Sequence, residues 1–163
     1  MLRGALAILL DRPAGTIELA IEPDGKPVLE QSDGWHFNLS HADGVLAFAI
    51  ARCPVGIDVE RSKPGRDVAG LMARYFTPIE CSQFFALTEA KREASFLRGW
   101  TCKEALLKAL GTGLRDLQRC AVDLDPDAPP LIVENVPGTG RWAAYTWDVE
   151  PGAAAAVALP FGD

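Results

Sequence analysis

No two of the four cysteines, Cys53, Cys81, Cys102 and Cys120, stand in a Cys-x-x-Cys pair, so neither a zinc site nor a redox motif is indicated. Scattered thiols of this kind fit a reducing cytoplasm. Basic residues are in the minority, 16 Lys and Arg against 22 Asp and Glu, for a formal charge of -6. That balance argues against non-specific nucleic-acid binding, which needs a basic surface, but leaves room for a local basic pocket. No apolar run is long enough to span a membrane. The run from Leu2 to Leu10 is stopped by Asp11 and Arg12 with no small-x-small cleavage site after it, so it reads as a short helix and not a leader. There is no low-complexity tract, no fixed-period repeat and no Gly-x-Ser-x-Gly elbow. What remains is 48% hydrophobic and 23% charged residues over 163 positions, enough for one core or for two small lobes sharing one.

The pattern along the chain predicts an α+β fold, antiparallel sheet packed on a long helix. Strands are expected at Thr16 to Ile21, Phe37 to Leu39, Val45 to Ala51 (buried) and Val55 to Glu60, with a turn at Pro23 to Pro27, a loop at Ser40 to Gly44 and a polar loop from Arg61 to Arg66. Thr77-Pro78-Ile79-Glu80 is a helix start with Thr as N-cap and Glu at the third position. A second helix is expected from about Glu89 to Leu110, ended by Gly111. Further strands are predicted at Arg119 to Leu124, Leu131 to Val133, Arg141 to Val149 and Ala153 to Leu159, the last two joined through Glu150-Pro151-Gly152.

Four segments can carry chemistry. In Gly56-Ile57-Asp58-Val59-Glu60, strand alternation sends Asp58 and Glu60 to one side and Ile57 and Val59 into the core. Paired carboxylates suit a hard divalent ion such as magnesium, and equally the solvated face of an edge strand. In Trp100 to Lys108, the spacing of four aligns Trp100, Glu104 and Lys108 in one half-buried row. Such a row can bind metal and phosphate side by side, or form an ordinary Glu-to-Lys helix pair. Ser40 and His41, after Phe37-Asn38-Leu39, can bond a phosphate or simply form a turn. Gly25-Lys26-Pro27 and Gly111-Thr112-Gly113 are weak signals alone.

Taken in order, Gly25-Lys26-Pro27, Phe37 to His41, Val55 to Glu60, Tyr75-Phe76-Thr77 with Glu80, Trp100 to Lys108 with Lys103-Glu104, and Gly111 to Leu114 resemble the larger, surfactin-synthetase-activating type of 4'-phosphopantetheinyl transferase. The resemblance runs from Gly25 to Leu114 and more loosely from Trp142 to Leu159. It implies a magnesium-dependent transfer of phosphopantetheine from coenzyme A to a serine of an acyl or peptidyl carrier protein, with 3',5'-ADP released. Asp58, Glu60 and Glu104 are then the implied metal ligands, and Glu104 and Lys108 the implied catalytic pair. Coenzyme A is expected at Arg3, Gly25, Lys26, Pro27, Ser40, His41, Lys103 and Lys108. Glu80 is a weaker candidate base than Glu104, because a capping box already accounts for it.

Members of this type have two similar halves, and here the first is expected to be shortened: a lobe over residues 1–54 and a transferase lobe carrying the metal site over 55–163. The implied setting is cytoplasmic, with no nucleic acid or membrane partner, as a monomer or homodimer. Two other readings stand beside the enzyme: a non-catalytic or truncated relative that binds carrier protein or nucleotide, and a metal-dependent phosphohydrolase using water as nucleophile.

Overall fold

The structure is a computed structural model and describes residues 2–23, 25–112, 114–125, 131–136 and 140–161. Helix α1 (Leu2–Leu10) leads into two short paired strands, β1 (Leu19–Ile21) and β2 (Pro27–Leu29). Strands β3 (His36–Ala42) and β4 (Val45–Ala51) form a hairpin. After β5 (Gly56–Arg61) come helices α2 (Val68–Tyr75), α3 (Pro78–Ala86) and α4 (Glu89–Leu110). Strands β6 (Leu131–Val136), β7 (Gly140–Glu150) and β8 (Ala153–Pro160) complete the order. The main sheet is antiparallel in the order β5-β8-β7-β6, and α4 lies across β5, β8 and β7. This is the expected α+β arrangement of antiparallel sheet on a long helix.

Small side chains let the helix and sheet approach closely. Ala154, Ala156 and Ala158 of β8 are buried in one core with Cys102, Ala105, Leu106 and Ala109 of α4. A Cβ on Gly56 would stand 1.9 Å from the Ala105 carbonyl oxygen and 2.5 Å from the Ala109 nitrogen. A separate apolar cluster, Leu6, Ile17, Leu29 and Phe37, joins α1 to the strands that follow it.

The capping box at Thr77 is complete: Glu80 N donates to Thr77 Oγ1 (3.3 Å) and Thr77 N to Glu80 Oε2 (2.6 Å). Gly111 ends α4 with φ +70°, a left-handed cap that a side chain adopts only at a cost.

Several expectations need correction. The loop at Ser40 to Gly44 is strand as far as Ala42, because Asp43 and Gly44, both with positive φ, make a two-residue turn that pairs Ala42 with Val45. Strand β4 is not fully buried: Leu46 and Phe48 are about half exposed, and its side chains alternate. Thr16 belongs to a 3-10 turn, and β1 starts at Leu19. Helix α2 is an element beyond those expected; Asp67 caps it by accepting from Gly70 N at 2.9 Å. The segment Arg119 to Leu124 is not a strand. A 3-10 turn covers Leu114–Arg119, and the backbone beyond is held by side chains, Val122 N donating to Glu80 Oε1 (2.9 Å) and Ser95 Oγ to the Leu124 carbonyl (2.8 Å). Asp24 and Gly113 lie outside the described residues.

Candidate functional site

Strand β5 is an edge strand of the main sheet, yet its open side is not bare. Asn38 and Ser40 of β3 lie along it. Ile57 N donates to Asn38 Oδ1 at 2.9 Å and Val59 N to Ser40 Oγ at 3.4 Å. Side chains thus satisfy main-chain donors that a neighbouring strand would otherwise take.

The two faces of β5 are both covered, which corrects the expected division into core and solvent sides. Gly56 faces α4, as the position of its missing Cβ shows, and Asp58 and Glu60 follow it on that face at a spacing of two. The carboxylates therefore look at the helix, while Ile57 and Val59 are buried on the opposite side. Asp58 is 4% exposed.

The ammonium of Lys108 donates to Asp58 Oδ1 (2.7 Å), Ser40 Oγ (2.9 Å) and the Ile57 carbonyl (3.3 Å). Ser40 Oγ also donates to Asp58 Oδ1 at 2.9 Å. Lys108 is thus paired across elements with Asp58 instead of along its own helix with Glu104. Burial raises the proton affinity of Asp58 although Lys108 and Ser40 oppose it. Its second oxygen, Oδ2, is buried without a hydrogen-bond partner. Glu60 is half-buried and accepts from Arg66 Nη2 at 3.0 Å. Arg66 sat in what the sequence suggested was a polar loop; the one available signal was a guanidinium six positions after an acidic strand residue.

Glu104 stands one turn before Lys108, half-buried. Burial first, then the charges of Asp58 and Glu60, push its carboxyl up to about 7, against the pull of Lys108. Among the described residues no hydrogen bond or ion pair holds it. Trp100, in the same row, packs edge-on against Tyr75 at 5.5 Å.

The remaining expected site residues are distributed differently. Lys26 donates from Nζ to the carbonyls of Lys108 (2.8 Å) and Ala109 (3.4 Å), so the turn between β1 and β2 touches the end of α4. Gly25 (φ +89°) and Pro27 flank it. His41 is exposed, and as the neighbour of inward-facing Ser40 on a strand it points the other way. Arg3 donates from Nε to the Ile17 carbonyl at 3.2 Å and is not brought to the cluster. Lys103 is fully buried, with its ammonium on Glu80 Oε2 (2.7 Å) and on the Tyr75 (3.3 Å) and Leu117 (2.8 Å) carbonyls. An ammonium enclosed in this way is not available to coenzyme A, which corrects the expectation for Lys103.

Among the described residues no three His, Cys, Asp or Glu side chains stand together in ligating geometry. By donor type, Asp58, Glu60 and Glu104 nevertheless fit a hard divalent ion. Their mutual repulsion and the unpartnered Asp58 Oδ2 provide what such an ion would relieve.

The raised carboxyl makes a pH prediction for the metal-free protein. Between the ordinary value of 4.5 and about 7, the folded state holds a proton on Glu104 that the unfolded state has lost. Stability from this group is full below 4.5 and is lost as pH rises through 7. Melting in a chelator at pH 5 and pH 7.5 should therefore show a smaller drop with pH for Glu104→Gln than for wild type. Equal drops would contradict the electrostatic picture.

Residues 54–159 match the model of the 4'-phosphopantetheinyl transferase superfamily. The chain is 34% identical over 136 residues to the 4'-phosphopantetheinyl transferase HetI of Nostoc sp., covering 81% of this chain and 57% of that protein. It is 29% identical over 149 residues to the 4'-phosphopantetheinyl transferase Sfp of Bacillus subtilis, covering 90% and 65%. It is 33% identical over 139 residues to the human L-aminoadipate-semialdehyde dehydrogenase-phosphopantetheinyl transferase, covering 77% and 45%. The chain spans about half the length of the first of the relatives it matches. Since β5, α4 and the β7–β8 hairpin all fall inside the matched region, the chain belongs to the 4'-phosphopantetheinyl transferase superfamily.

Proposed function

We propose that this chain transfers 4'-phosphopantetheine from coenzyme A to a serine of an acyl or peptidyl carrier protein, in a magnesium-dependent reaction that releases 3',5'-ADP. The observation that carries the reading is that Asp58 and Glu60 of β5 face Glu104 and Lys108 of α4, with Lys108 Nζ 2.7 Å from Asp58 Oδ1. A carboxylate beside the reacting phosphate can take the proton of the attacking serine.

The carrier serine oxygen attacks the phosphorus next to pantetheine, and its proton passes to Glu104. The new bond is serine O–P; the bond that breaks joins that phosphorus to the oxygen leaving with 3',5'-ADP. Lys108 neutralises charge that builds on the leaving phosphate. Asp58, Glu60 and Glu104 would hold a divalent cation, which when bound supplies further charge neutralisation at the phosphates. Ser40 orients Lys108, and His41 is assigned to a coenzyme A phosphate on the exposed side of β3. Gly25, Lys26 and Pro27 border the adenine through their backbone, and Arg3 contacts the nucleotide. A shortened lobe over 1–54 and a transferase lobe over 55–163 remain part of the proposal, with Lys26 and Ser40 of the first reaching Lys108 of the second. No helix among the described residues is long and apolar enough to cross a membrane. The four free cysteines support a cytoplasmic setting.

The test is intact-mass analysis of an apo carrier protein incubated with the chain, magnesium and coenzyme A. The carrier should gain one phosphopantetheine with wild type and none with Glu104→Ala under the same conditions. Free phosphopantetheine appearing without any carrier would favour the hydrolase reading. Binding of carrier or coenzyme A without mass gain would favour the non-catalytic one.

A further inference from the structure

We propose that Lys26 is a positioning residue: its ammonium closes the C-terminal end of α4 and so holds Lys108 over Asp58. This rests on the assignment of Lys108 to the reaction.

The last four carbonyls of an α-helix have no amide of their own helix to accept from. In α4 these belong to Leu107, Lys108, Ala109 and Leu110. Among the described residues the chain beyond the helix turns back to the first of them: Gly111 N (2.8 Å) and Thr112 N (3.3 Å) both donate to the Leu107 oxygen. The Lys108 and Ala109 oxygens are met by Lys26 Nζ, from 82 and 83 positions away. A cation there also faces the negative end of the helix dipole.

The support of Lys26 is itself short and closed. Glu22 N donates to the Lys26 carbonyl at 2.9 Å and Gly25 N to the Glu22 carbonyl at 2.8 Å, with Gly25 at φ +89° completing the turn. The ammonium therefore extends from a residue whose carbonyl is itself held by a main-chain hydrogen bond.

Lys108 is consequently held twice. Its side chain is fastened to Ser40, Ile57 and Asp58, and its carbonyl to Lys26. It sits in the last turn of the helix, the part that frays first when its carbonyls lose their partners. A small displacement there moves the charge that must meet the leaving phosphate. The competing role for Lys26 is direct capture of a coenzyme A phosphate by the same ammonium.

The experiment compares wild type, Lys26→Met and Lys26→Arg as full chains. Amide hydrogen exchange is read without ligand, coenzyme A affinity by calorimetry, and kcat and KM by transfer to carrier protein. For Lys26→Met, exchange at Gly111 and Thr112 should speed up about tenfold. Its kcat should fall about tenfold or more, with the coenzyme A Kd within about threefold of wild type, and Lys26→Arg should recover most of both losses. Exchange rates decide the proposal. Unchanged exchange at Gly111 and Thr112 overturns it, and if Kd rises by the same factor as kcat/KM falls, Lys26 is a coenzyme A ligand. A wild type that transfers nothing defeats the functional reading, while the exchange comparison still judges the clamp.

Discussion

Lys103→Ala is expected to destabilise the protein by about 3–5 kcal/mol, the usual effect of removing one partner from a buried ion pair. Lys103 and Glu80 are both 0% exposed. Burial lowers the proton affinity of Lys103, against the pull of Glu80. The ammonium also lies 4.6 Å from the centre of the Phe76 ring. Removing it leaves the Glu80 carboxylate with two main-chain donors, Thr77 N and Val122 N, and no counter-charge. The effect should reach beyond the pair, since Glu80 ties the start of α3 to the segment after the 3-10 turn. Urea unfolding would measure it. The double variant Glu80→Gln/Lys103→Met should lose clearly less than the two single losses added, because no buried charge is left unpaired. A loss below about 1 kcal/mol for Lys103→Ala would mean that the pair is not closed to water as described.

Gly56→Ala is expected to damage stability and transfer together. The added Cβ would meet main-chain atoms of α4, the Ala105 oxygen at 1.9 Å and the Ala109 nitrogen at 2.5 Å. Neither can rotate away, so β5 and α4 must separate. Overpacking of this kind costs about 1–3 kcal/mol, and contact with rigid backbone belongs at the upper end. The same separation draws Asp58 from Lys108, which are 2.7 Å apart. A displacement of about an ångström is enough to lower turnover on the order of a hundredfold. Thermal melting and carrier loading of Gly56→Ala, set beside Ala158→Gly, test this. The Ala158→Gly variant loosens the facing strand without a clash, so it should lose stability with little loss of turnover. Equal turnover loss in both would point to general softening instead of separation of β5 from α4.

The long helix, the capping box at Thr77 and the β7–β8 hairpin were legible because each has a local cause: a stretch of helix-forming residues closed by Gly111, a Thr-x-x-Glu start, a Pro-Gly turn. Helix α2 was legible in principle, with Asp67 ahead of Val68, Leu71, Met72 and Tyr75, but a polar stretch before it hid the start. Asp43-Gly44 is a local turn signal for the β3–β4 hairpin, but the polar residues before it read equally as a loop. Arg119 to Leu124 has strand-like residues, yet Glu80 and Ser95 take its backbone bonds; that is a tertiary fact with no local trace. Period-two alternation put Asp58 and Glu60 on one face correctly. It could not say that the helix lies on that face, because Gly56, whose absent side chain admits α4, looks like a turn residue in sequence. Lys103 and Lys26 have the same limit: a lysine's position in a motif does not reveal where five heavy atoms of side chain will reach.

The side-chain edging of β5 bears on how relatives of this chain should be judged. Asn38, Ser40 and Lys108 close the edge of a sheet, and Ser40 and Lys108 also hold Asp58. A descendant that had given up coenzyme A chemistry would still be selected to keep them, since losing them bares main-chain donors and acceptors. Their presence in a family member is thus poor testimony to activity. Glu104 has no such second duty among the described residues. Drift at that one position, with the edge residues intact, would be the mark of a lineage that had kept the scaffold and abandoned the reaction.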